Sequence, residues 1–148
     1  MEIADLKRYV CESFDGVDTL EANGDTFFVY DPGRDLPAER QLPFATIVTG
    51  DRYDDASALD RTGAWRLNIG LTRATYRALF APRRGPDSAV DHAVTDTVLP
   101  HPVYAPQHWV CVVNPGEASV DVVRRLLAEA YDFAARKHAN HRSRRDPS

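Results

Sequence analysis

Asn23-Gly24 lies between two runs of strand-forming residues, 17–22 and 25–30. Both residues tolerate positive φ, so the pair closes a two-residue hairpin and forces its flanking strands to run antiparallel. The second run, Thr26-Phe27-Phe28-Val29-Tyr30, is built from β-formers. A sheet started this way needs cover on at least one face. Two helical stripes supply it. Ile3, Leu6, Val10 and Phe14 recur at helical spacing before Gly16 stops the pattern. Near the other end, Val123, Leu126, Leu127, Ala130, Tyr131 and Ala134 form one apolar stripe, with Ser119 placed to cap it.

The middle of the chain fills in the sheet. Residues 31–41 hold Pro32, Gly33 and Pro37 and read as a loop. A strand is expected over 42–49, with Pro43 marking its start or an edge. Residues 64–70 alternate: Trp65, Leu67 and Ile69 face the core, while Arg66 and Asn68 project from the other side. Thr72 caps a helix reaching about Phe80, a break follows at 82–86, and 88–97 reads as a short helix. Pro100, Pro102 and Pro106 keep residues 99–107 extended or turning, and the last strand runs over 108–114. The order α-β-β-β-β-α-(α)-β-α gives an α+β fold. Its antiparallel sheet has about five strands, with N- and C-terminal helices packed on it. Residues 1–137 form the single domain, and 138–148 form a basic, disordered tail.

A chain of 148 residues buries roughly two thirds of its unfolded surface and needs no disulfide or metal to fold. Cys11 and Cys111 therefore read as buried thiols. No apolar run approaches the roughly 20 residues of a membrane span, and the acidic, helical start Met1-Glu2-Ile3-Ala4-Asp5 does not look like a signal peptide. A cytoplasmic protein without a membrane partner is expected. The net charge is −4, yet the last thirteen residues carry Arg136, Lys137, Arg142, Arg144 and Arg145 against Asp146. The body is thus acidic and repels nucleic acid, while the tail attracts it without sequence specificity.

The sharpest chemical cluster is His101, Tyr104, His108 and Trp109. Two histidines in one cleft supply a general acid and a general base, and Tyr104 can donate to a developing oxyanion. The bland alternative is a structural loop shaped by its prolines. Arg66 and Asn68 share a strand side, where Arg66 can clamp a carboxylate or phosphate and Asn68 can orient a polar ligand. The alternative there is a solvated face or an ion pair. Tyr30 and Thr46 are candidates for the same sheet face. His92, His101 and His108 match no familiar zinc spacing, so no metal is expected. His138 and His141 read as solvated. Nucleotide-binding glycine loops and nucleophile elbows are absent from the sequence, so no cofactor is expected. The acid-rich stretch with Asp51, Asp54, Asp55 and Asp60 lacks calcium-loop spacing and reads as a solvated loop.

Three blocks then carry a resemblance. Gly24-Asp25-Thr26-Phe27-Phe28 with Leu42-Pro43-Phe44-Ala45-Thr46 is the first, and Trp65-Arg66-Leu67-Asn68-Ile69-Gly70 the second. The third is residues 99–112, followed by the helix with Leu127-Ala128-Glu129-Ala130-Tyr131. Together they resemble domain-of-unknown-function family 6194 across residues 3–137. More distantly, His108-Trp109 before Ala130-Tyr131 is similar to the YjbR (MmcQ-like) proteins, although Ala130 stands where those usually have serine. That resemblance implies a YjbR-like sheet with flanking helices, and a suggested DNA-binding role that rests on fold analogy. Two functions follow as expectations. One is a small-molecule pocket, with an acid–base enzyme of lyase, isomerase or cyclase type as its catalytic version. Its catalytic residues would be His101, His108 and Tyr104, and its binding residues Arg66, Asn68 and Trp109. The other is a nucleic-acid-binding accessory domain that uses the basic tail.

Overall fold

The computed structural model describes residues 1–80 and 90–145, with side chains up to residue 141. β1 (Val17–Ala22) and β2 (Asp25–Tyr30) pair over their full length, Val17 opposite Tyr30 and Ala22 opposite Asp25. Asn23 and Gly24 make the turn at φ 56° and 84°, as a two-residue hairpin of this twist requires. β3 (Ala45–Val48), β4 (Arg66–Gly70), β5 (Leu99–Pro100) and β6 (Trp109–Val113) complete a sheet of order β1-β2-β3-β4-β6-β5. Every neighbouring pair is antiparallel. The strand beyond the expected five is β5, whose two residues lie in the proline-rich stretch.

α1 (Ile3–Ser13) and α3 (Val120–Arg145) lie on one face of this sheet. Leu6, Val10, Val123, Leu126, Leu127 and Ala130 meet Phe28, Ile47, Leu67, Ile69, Val110 and Val112, all at most 1% exposed. Both helical stripes thus do what their spacing predicts. α2 (Arg73–Leu79) begins behind Thr72, whose side chain accepts from the Thr75 amide. Among the described residues no helix is long and apolar enough to cross a membrane.

Five expectations need correction. Cys11 is exposed, because its neighbour Val10 takes the core position on α1. Tyr30 is on the helix-covered face, since it alternates in step with Phe28. Its ring meets those of Tyr131 and His138. Residues 138–145 lie in α3, where a disordered tail is expected from the sequence. His138 and His141 are correspondingly packed: His138 against Tyr30, and His141 within hydrogen-bond reach of the Arg40 guanidinium. The expected helix over 88–97 is absent from its described part, 90–97, where Thr95 bridges to Val113. The expected break at 82–86 lies outside the described residues.

Asp96, itself at φ 55°, explains why 90–97 forms turns and a bridge in place of a helix. Its carboxylate accepts from the amides of Gly116, Ala118 and Ser119 and from the Ser119 hydroxyl, at 2.6–3.0 Å. These contacts tie the segment to the N-terminus of α3 and hold the Asp96 carboxyl below its usual range, the Ser119 hydroxyl contributing most. Asp96→Ala is expected to cost about 1–2 kcal/mol, like the loss of a strong helix cap. A urea melt measures it, and an unchanged midpoint would show that water replaces the carboxylate without loss.

Candidate functional site

The alternation that sends Leu67 and Ile69 to the helices sends Arg66 and Asn68 to the opposite face. Register then aligns Phe27, Thr46, Asn68 and Cys111 in one row across β2, β3, β4 and β6. This face is not left to solvent. Arg66 is 1% exposed, and Asn68 and Thr46 are also buried. Their side chains form a continuous chain. Asn68 Nδ2 donates to Thr46 Oγ1 at 3.0 Å, and Arg66 Nε donates to Asn68 Oδ1 at 2.9 Å. Arg66 Nη1 and Nη2 donate to the two carboxylate oxygens of Asp54 at 2.9 and 2.7 Å, and Nη1 also reaches Ser57 Oγ at 3.0 Å. This is the fork-on-fork pairing that guanidinium geometry favours. It holds the Asp54 carboxyl below its usual range, the Arg66 hydrogen bonds being the largest cause.

Asp54 is the site residue missed by sequence reasoning. The stretch read as a solvated loop is a folded cap. The Asp51 carboxylate accepts from the Leu59 amide at 2.7 Å, and the Asp60 carboxylate from the Asp51 amide at 3.1 Å. Ser57 and Leu59 are buried, and Ala58 between them takes φ 52°, a strained value for a residue with a Cβ. A signal did exist. An arginine on an otherwise apolar strand needs a buried counter-charge, and the densest acids in the sequence lie just upstream.

The second wall comes from the proline-rich stretch. His101 sits between Pro100 and Pro102 and is 5% exposed. Its Nδ1 accepts from the backbone amides of Val103 and Tyr104, both at 3.0 Å. An amide can only donate, so Nδ1 carries a lone pair and the ring proton sits on Nε2. Burial, reinforced by the Arg66 charge and opposed by Asp54, pushes the imidazole down to about 4. His101 is therefore neutral at pH 7. The Tyr104 ring lies 5.1 Å from it. Trp109 completes this wall by lying over Gly70, where a Cβ would sit 2.8 Å from the indole.

His108 is not part of this arrangement. It takes φ 71° at the end of the turn Ala105–Gln107, and its ring lies 5.6 Å from that of Tyr76 in α2. Trp109 faces the cavity, so its predecessor points elsewhere. His92 is also separate, with Nε2 3.0 Å from the Pro100 carbonyl. Cys111, at the end of the row, is fully buried, and burial pushes its thiol up to about 12, which suppresses the reactive thiolate. No group of three potential metal ligands occurs among the described residues.

These side chains enclose a cavity of about 450 Å³. Its floor is the polar chain from Thr46 to Asp54, and its walls include Phe27, Val48, His101 and Trp109. Leu42, Tyr53, Val103 and Tyr104 line it too, each about half exposed or more. The structure thus brings together Arg66, Asn68, His101, Tyr104 and Trp109 from the expected set, and leaves out His108.

The family model for a family of unknown function (DUF6194) matches residues 1–144. The chain belongs to that family. No curated protein and no solved structure matches it. The comparisons lend no support to the more distant likeness to YjbR proteins. What this DUF6194 member does must accordingly be argued from its own geometry.

Proposed function

We propose that this domain binds a small molecule in the cavity on the open face of its sheet, with apolar contacts at the mouth and polar recognition within. One observation carries the reading. Five large apolar side chains are exposed among the described residues, and four of them, Leu42, Tyr53, Val103 and Tyr104, line this cavity. Exposed apolar surface gathered around a concavity with a buried polar floor is the usual design of a ligand site. The acid–base version of the reading is weaker. His108 lies against Tyr76, and His101 has its basic nitrogen engaged by two amides. His101 and Tyr104 are left as donors that can polarise a ligand oxygen, a role consistent with binding and with oxyanion stabilisation alike. The nucleic-acid alternative rests on the charge of the basic C-terminus alone.

The test uses Trp109 as reporter. The chain has two tryptophans, and Trp65 is buried in the core. A Trp65→Phe background therefore isolates Trp109 emission. Titration with benzamide, indole and cyclohexanol should give a saturable change with at least one probe. Replacing Tyr53 and Val103 by serine removes exposed wall without touching the core, and should weaken that binding about tenfold or more. Absence of saturable binding by every probe, or equal binding by the serine variant, would refute the reading.

A further inference from the structure

The charge state of the cavity follows from how its polar groups are already committed. Arg66 is the cation on its floor, yet both terminal nitrogens bind Asp54 and Nε binds Asn68. The pair is closed: the positive fork is matched by a carboxylate from the protein itself. An incoming anion meets a neutralised site and the Asp54 charge beside it. The hydroxyl of Ser57 and the amide of Asn68 are engaged by the same arginine. One donor differs. His101 lines the cavity, its Nδ1 is engaged, and its Nε2 has no hydrogen-bond partner among the described residues. No fully buried side-chain nitrogen or oxygen among them lacks a partner, so the unpartnered Nε2–H is not fully buried, on a side chain that lines the cavity.

We propose that the cavity selects an uncharged ligand, with an aromatic or apolar body, that presents a hydrogen-bond acceptor such as a carbonyl oxygen to Nε2 of His101. This inference rests on the small-molecule reading above and specifies its ligand class. It reverses the role that the sequence suggests for Arg66. The arginine does not clamp a ligand carboxylate; it holds the Asp54 loop down and completes the floor. His101 is the specificity-determining group, a one-proton donor fixed in orientation by the two amides of its own turn. The aromatic rings of Phe27, Tyr53, Tyr104 and Trp109 favour a flat ligand body.

Benzamide and benzoate make the decisive pair, because they share a ring and differ in charge. At pH 7 the protein should bind benzamide at least tenfold more tightly than benzoate, measured by Trp109 emission in the Trp65→Phe background. His101→Asn then tests the donor. Its side-chain oxygen stands near the position of Nδ1 and can still accept the two amides, while the Nε2–H is gone. Benzamide affinity should fall about tenfold, with the thermal midpoint checked to confirm folding. His101→Ser, whose hydroxyl can accept one of the two amides and cannot reach the Nε2 position, serves as second variant if the asparagine chain does not fold. Benzoate binding as tight as benzamide, or benzamide affinity unchanged in the folded variant, would overturn the inference while leaving the cavity as a binding site. Failure of both probes in the parent protein would overturn the inference and count against the binding reading too.

Discussion

Asp54→Ala is expected to destabilise the domain by about 3–5 kcal/mol, the range for breaking a buried ion pair from one side. The size comes from what the substitution leaves behind. The Arg66 side chain is 2% exposed and the Asp54 side chain 13%. Without the carboxylate, a guanidinium stays buried with only Asn68 and Ser57 as partners. Urea unfolding measures the change. Replacing both members, as Asp54→Leu with Arg66→Met, should recover much of the loss, since an apolar pair of similar volume removes the charge that has to be desolvated. A loss below about 1 kcal/mol for Asp54→Ala would mean that water reaches Arg66, and that the loop of residues 50–63 is not a closed cap.

Acidification should destabilise the fold well above the pH at which carboxylates titrate. His101 falls from an ordinary 6.5 to about 4 in the folded state, through burial first and then the Arg66 charge, with Asp54 opposing and His92 adding. A depressed value means that the unfolded chain takes up the proton first. The contribution of neutral His101 is complete above about pH 6.5 and is lost as the pH falls through 4. Over that interval it amounts to about 3 kcal/mol. The carboxylates act in a lower window. Asp54 and Asp96 are both held below the usual value, so their stabilisation is present above about pH 4 and disappears below it. Comparing the unfolding free energy of the wild type and His101→Asn from pH 7 to pH 4 isolates the histidine. The wild type should lose about 3 kcal/mol more than the variant. Parallel curves would show that His101 titrates as it does in the unfolded chain.

Much of the fold is legible in the sequence because local chemistry and tertiary packing agree there. Asn23-Gly24 dictates a hairpin that forms in full. The stripes of α1 and α3, the Thr72 cap and the alternation of residues 65–69 all describe positions whose burial follows from their spacing. The misreadings have a common origin in non-local partners. Asp54 looks like one acid among many until β4 places Arg66 beneath it, twelve residues on in the chain. Residues 90–97 look helical until the Asp96 carboxylate is taken by the start of α3. The basic end looks disordered until Tyr30 and Arg40 receive His138 and His141.

The site was half legible for a related reason. Strand alternation puts Arg66 with Asn68, and Trp109 with Cys111, on one face without further information. The separation of His101 from His108 cannot be read that way, because the turn Ala105–Gln107 and the left-handed φ at His108 lie between them. Nor does sequence reveal that two backbone amides fix the His101 proton. That detail is what makes His101 a donor, in place of a proton shuttle, in the proposed reading.

A long-range proton–nitrogen spectrum of the histidine rings at pH 7, recorded without and with benzamide, tests this account most directly. The predicted result is a neutral His101 protonated at Nε2, whose Nε2 resonance moves on addition of benzamide while the His108 ring stays unchanged. A charged His101 at pH 7, a proton on Nδ1, or a benzamide response at His108 in place of His101 would contradict it.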